Sequence, residues 1–124
     1  MKSNPVVWFE IYVQDIARAK AFYESVFQVK LEQMMPESDL EMWGFPRNEE
    51  SQMGINGSLV KMKGVPSGGS TLVYFGCDDC DVEAKRIIAA SGKVNREKMS
   101  IGQYGFIVLA VDTEGNMIGL HSLK

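Results

Sequence analysis

Few side chains in this chain have both the type and the setting for acid–base, redox or metal chemistry. The two cysteines, Cys77 and Cys80, are spaced as CDDC. Such a pair serves as a redox couple at a helix start or as half of a zinc site. A structural zinc needs four ligands, and the sequence offers no second cysteine pair and one histidine. The two acidic residues between the cysteines disfavour a thiolate. The plainer reading makes Cys77 the end of a strand and Cys80 the start of a helix, both as small buried residues. The histidine, His121, closes the stretch DTEGNMIGLHSLK and could be a metal ligand, an acid/base or a structural group. Glu10 lies between Trp8 and Tyr12 in WFEIY. Desolvation by aromatic neighbours disfavours a carboxylate's charged form and suits it to accept a proton.

The elements that must position these residues follow from periodicity. PVVWFEIYV (5–13) alternates and is rich in β-branched and aromatic residues, so it reads as a strand. QDIARAKAFYESVFQ follows as a helix capped by Asp15, with Ile16, Ala19, Phe22, Tyr23, Val26 and Phe27 as its apolar stripe. Strands are expected at 30–35, 40–45 and 55–62, with a turn at 36–39 and a polar loop at 46–52. A Gly/Pro linker, 64–69, precedes a second round. That round has a strand at 70–77, a helix at 78–93 with Gly92 as its stop, and strands at 93–100, 104–112 and 116–122. The chain is therefore an internal duplication of a βαβββ unit, module one spanning 5–63 and module two 70–124. The fold class is α+β.

Strand side chains alternate between faces. In the first strand Val7, Phe9, Ile11 and Val13 should pack on the helix, leaving Trp8, Glu10 and Tyr12 opposite. The same parity sends Leu72, Tyr74 and Gly76, and Met117, Gly119 and His121, away from the second helix. Trp43 on the third strand is a further candidate for this face. Flat aromatic surfaces with a few polar groups are the make-up of a small-molecule pocket. The expected ligand-binding set is thus Trp8, Glu10, Tyr12, Trp43, Tyr74, Gly119 and His121, with Glu10 and His121 as the catalytic candidates.

Composition narrows the partners. The 124 residues carry a net charge of −3 and are 45% hydrophobic, enough for a real core in one domain. No basic block exists, which argues against nucleic acid. The longest apolar run, near Phe106–Val111, is too short to span a bilayer, and MKSNPVVW lacks a signal-peptide core. The expectation is a soluble cytoplasmic protein with no membrane partner.

WFEIYVQDIARAKAFYESVF, LVYFGCDDCDVEAKRIIAASGKV and SIGQYGFIVLAVDTEGNMIGLHS together resemble the vicinal oxygen chelate superfamily, which includes glyoxalase I, bleomycin-resistance proteins and extradiol dioxygenases. The resemblance covers essentially the whole chain, and is closer still to a bacterial glyoxalase-like subgroup. It implies two tandem βαβββ modules forming a cup-shaped, eight-stranded mixed sheet, and a homodimer. It also implies positions for a divalent metal on the first and fourth strands of each module. Those positions fall at Trp8, Leu72 (Thr71 if the register slips by one), Gly119 and somewhere in 54–62. A metal needs about three or four converging N or O donors. Tryptophan, leucine and glycine supply none, and 54–62 holds no carboxylate or imidazole. No metal or other cofactor is expected, and Gly119 in particular removes a ligand and leaves room.

Three functions are compatible with this reading. The first is small-molecule binding in an aromatic-lined cavity without the usual metal, with acidic groups suiting a cationic ligand through cation–π contacts to Trp8, Tyr12 or Trp43. The second is a lyase- or isomerase-type enzyme related to lactoylglutathione lyase, metal-independent or with a weak metal, using Glu10 and His121. The third is an interaction module with a vestigial site.

Overall fold

A computed structural model describes residues 4–47, 55–67 and 71–124. Most of the expected polar loop, the end of the linker and its neighbour at 70, and position 54 lie outside the described residues. The chain divides into two compact units, Trp8–Thr71 and Met1–Val7 with Leu72–Lys124. Each holds four strands and one helix, the α+β arrangement expected from the duplication.

In the first unit β1 (Val6–Tyr12) leads into α1 (Ile16–Phe27), then β2 (Glu32–Met34), β3 (Glu41–Gly44) and β4 (Asn56–Lys61). The strands lie in the order β2-β3-β4-β1, with β1 parallel to β4 and the other pairs antiparallel. Asp15 caps α1, its carboxylate accepting the Arg18 N–H at 3.0 Å, and Gln28 ends it in the left-handed conformation. Val13, Ile16, Leu31 and Leu59 form the core, with Ile11, Ala19, Tyr23, Trp43 and Phe45 packed against it.

The helix stripe is narrower than the sequence suggests. Phe22, Val26 and Phe27 are 57%, 54% and 61% exposed. At about 100° per residue, Phe22 and Val26 sit on the flank of the Ile16–Ala19–Tyr23 line, and Phe27 is the last helical residue. Val7, at 43% exposure, also stays outside the core expected for it.

The second unit repeats the plan with β5 (Thr71–Gly76), α2 (Cys80–Ala89), β6 (Lys93–Ser100), β7 (Phe106–Val111) and β8 (Met117–Ser122). A short 3-10 turn, Gly102–Tyr104, precedes β7. The strand order is β5-β8-β7-β6, and here β5 is parallel to β8. Cys80, Ala84, Val108 and Leu120 form the core, flanked by Phe75, Cys77, Ile87, Val94 and Phe106. Asp79, as the N-cap, accepts the Asp81 N–H at 3.0 Å and pairs with Lys98 at 2.9 Å. The stop differs from expectation: α2 ends at Ala89, and Ser91 rather than Gly92 takes the positive φ, 74°. Gly92 serves close packing instead, since a Cβ there would lie 2.9 Å from the Val111 carbonyl oxygen.

No helix among the described residues is long and apolar enough to cross a membrane.

Candidate functional site

Register assigns every strand residue of the first unit to a face. Ile11 pairs with Leu59, and Leu59 with Trp43, so all three point to α1 and its core. Glu10 pairs with Ser58, Ser58 with Gly44, and Gly44 with Glu32, so this row lies on the far face, opposite the helix. The adjacent row is Tyr12, Val60, Met42 and Met34, and Trp8 pairs with Asn56.

On this far face Glu10 is the organising group. It is buried, at 7% exposure. The Trp8 Nε1–H donates to Glu10 Oε2 at 3.2 Å, and the Tyr12 hydroxyl donates to Glu10 Oε1 at 2.7 Å. Side chains at i−2 and i+2 of a strand share a face, so the sequence W-x-E-x-Y builds this clamp by itself. Charge-assisted hydrogen bonds of this kind fix the carboxylate's orientation. Directly across the strand pair sits Ser58, 0% exposed, whose Oγ has no hydrogen-bond partner among the described residues. A buried hydroxyl without a partner is costly. Sequence reasoning passed over Ser58, because one serine in a weakly patterned strand gives no signal until its cross-strand partner is known.

Trp43 does not join this face. It packs on the α1 side, where the Lys20 ammonium lies 4.8 Å from its ring centroid. The cation over this indole is therefore one of the chain's own lysines. Beside it a groove of about 630 Å³ runs between α1 and β3, its rim of mixed charge from Lys20, Glu24, Glu41 and Lys61.

In the second unit Tyr74 pairs with Gly119, and Gly119 with Leu109; Gly76 pairs with His121, and His121 with Ile107. These lie on the face opposite α2, since Phe75, Leu120 and Val108 pack on the helix side. Tyr74 is buried, and its ring lies flat over Gly119: a Cβ built there would collide with three ring carbons. The missing side chain therefore does not leave room, because the aromatic ring fills it. His121 is half-buried, and its Nε2 lies 2.6 Å from the Tyr104 carbonyl oxygen. A carbonyl only accepts, so Nε2 carries a proton directed at that oxygen.

The cysteines follow the structural reading in part. Cys80 is fully buried at the start of α2, whereas Cys77 is half-buried. Burial, reinforced by the charge of Glu83, pushes the Cys77 thiol up to about 11, the opposite of an activated thiolate.

The donors do not fit the superfamily's metal. Trp8 presents an N–H already given to Glu10, Leu72 is a buried hydrocarbon, and Tyr74 covers the Gly119 position. On β4 the far-face residue opposite Glu10 is a serine. Among the described residues no group of three or more His, Cys, Asp or Glu is placed to hold a metal ion.

The paired modules, with first and last strands parallel in each, define the fold of the vicinal oxygen chelate superfamily. Residues 6–40 match the bleomycin resistance protein-like N-terminal family, which agrees with that fold. Among solved structures, a methylmalonyl-CoA epimerase variant of Streptomyces coelicolor bound to 2-nitronate-propionyl-CoA is similar at TM-score 0.67 and 16% identity, covering 96% of each chain. The methylmalonyl-CoA epimerase of Mycobacterium tuberculosis is similar at TM-score 0.69 and 13% identity, over 97% of this chain and 88% of that one. A hypothetical protein from Bacillus halodurans C-125 is similar at TM-score 0.72 and 13% identity, over 99% and 96%. No curated protein matches by sequence. At these identities the structures speak for the fold alone.

Proposed function

We propose that this chain binds a small organic molecule on the far face of its first module, without the superfamily's metal, and that Glu10 anchors it. The observation that carries this reading is the clamp: a buried carboxylate oriented by Trp8 and Tyr12, beside the unpartnered Ser58 hydroxyl. The charged side chains in the register rows of this face, Glu10 and Glu32, are both acidic. Trp8 and Tyr12 add π surfaces that attract cations, so the expected ligand is an organic cation with a flat apolar body. The test is thermal stability and calorimetry against a panel that includes benzylamine and benzamidine. A ligand at 100 times its Kd stabilises the fold by about 2.7 kcal/mol. Glu10→Gln keeps the shape and removes the charge, and should abolish that gain. A flat response across the cations, or a gain indifferent to Glu10→Gln, refutes the reading.

One observation favours a second reading, proton transfer. His121 has its Nε2–H fixed by the Tyr104 carbonyl, which leaves Nδ1 as an oriented base. The fold likeness to methylmalonyl-CoA epimerases suggests an acyl thioester as the first substrate to try. Deuterium incorporation from solvent into methylmalonyl-CoA measures it. Any turnover should fall by about 10²–10⁴ in His121→Gln and be lost in Glu10→Gln. Exchange equal to the protein-free rate rules this reading out.

A further inference from the structure

The far face of the second module has its own charge pattern, distinct from that of the first. Its floor is largely apolar: Tyr74, Leu109 and Ile107 lie on β5 and β7, with Gly119 between Tyr74 and Leu109 and His121 beside Ile107. Its outer edge is basic. Arg96, between two register shifts of β6, pairs with Leu109 and so stands in the Tyr74–Gly119–Leu109 row, and Lys93 pairs with Val111, in the row beyond the floor. The side chains paired along these rows include no carboxylate. Both cations are exposed, and neither forms an ion pair among the described residues. Lys98, of the same strand, differs: it lies over the Phe106 ring and pairs with Asp79 at the start of α2. The Arg96 Nη1 lies 3.3 Å from the Met99 thioether, which holds the guanidinium along the strand while leaving its charge uncompensated.

We propose that this face binds an organic anion with an apolar body, an aryl or acyl carboxylate or phosphate. The apolar part lies on Tyr74, Leu109 and Ile107, and the anionic group meets Arg96, with Lys93 adding charge. Arginine's planar fork matches carboxylate and phosphate oxygens, which a lysine point charge does not do. This proposal and the Glu10 reading call for ligands of opposite charge, so the probes below separate their failures.

Phenyl phosphate is the probe, with benzyl alcohol as its neutral isostere and benzylamine as its cationic one, followed by calorimetry and amide NMR shifts. Phenyl phosphate should bind, shift the amides of 107–109 and 119–121, and weaken as salt is raised. Arg96→Gln should weaken it about tenfold, and Arg96→Lys should recover part of that loss. Benzylamine binding should be unchanged in Arg96→Gln. The inference is overturned if phenyl phosphate does not bind, or binds no better than benzyl alcohol. It is equally overturned if Arg96→Gln has no effect or the shifts map to α1. If benzylamine fails while phenyl phosphate succeeds, the Glu10 reading falls and this one stands.

Discussion

Replacing Gly119 by alanine tests the claim that the Tyr74 ring fills the space a side chain at Gly119 would need. The new methyl would collide with three carbons of that ring, and Tyr74 at 7% exposure has little space to swing away. Overpacking of a core by one methyl costs about 1–3 kcal/mol. Against this, Gly119 does not use a positive φ, so alanine adopts the backbone and reduces the entropy of the unfolded chain, worth about 0.4–1 kcal/mol. The net expectation is a loss of about 1–2 kcal/mol, or roughly 3–8 °C in Tm for a domain of this size. The sharper measurement is a double-mutant cycle by urea denaturation. Tyr74→Ala alone should cost about 3–5 kcal/mol through the cavity it leaves. In that background Gly119→Ala enters vacated space and should become neutral or stabilising, giving a coupling of about 1–3 kcal/mol. Additive effects, within about 0.5 kcal/mol, would refute the stacking of ring on glycine.

Ser122, 1% exposed, accepts the Cys80 N–H at 3.0 Å and donates to the Lys124 carbonyl at 2.8 Å. Ser122→Ala strands that buried N–H and should destabilise by about 1–3 kcal/mol in denaturant titration, whereas an exposed serine would give a null result. Asp79 is held below the usual carboxylate range by Lys98 and the Asp81 N–H, and Asp112 by the Asn116 backbone and side chain. Both folded values lie below the unfolded ones, so their contribution is present above about pH 4 and is lost as pH falls through the folded values. Acid melts of Asp79→Ala and Asp112→Ala should therefore show a shallower loss below pH 4 than the wild type. Cys77, with its thiol raised to about 11, should alkylate slowly with iodoacetamide at about pH 8, and rapid labelling of the native protein would contradict its burial.

The order of strands and helices is legible in the sequence because each signal is local. Alternation marks β1, Asp15 caps the first helix, either Asp78 or Asp79 reads as the cap of the second, and DTEGN marks the final turn, where Asp112 accepts the N–H groups of Glu114 and Asn116. The Glu10 clamp is equally local, since Trp8 and Tyr12 lie two residues either side. What the sequence hides depends on register between distant strands. LEMWGF is apolar on both parities, so alternation alone does not choose between Met42 and Trp43 as the inward residue. Pairing with Leu59 and Ile11 makes that choice and turns Trp43 to the helix. Gly119 looks like vacant space until Tyr74, 45 positions earlier, is seen to lie across it. Ser58 gains meaning in the same way, as the partner of Glu10.

The ring over Gly119 also limits what a single substitution can introduce there. A carboxylate introduced at that position by one substitution would be driven into an aromatic side chain already packed there, so the variant is destabilised before any metal could compensate. Tyr74 would have to shrink first, and that step alone opens a cavity with no immediate benefit. Trp8, Leu72 and Ser58 would each require a further replacement. The obstacle to a metal-binding side chain on this face is thus ordinary packing.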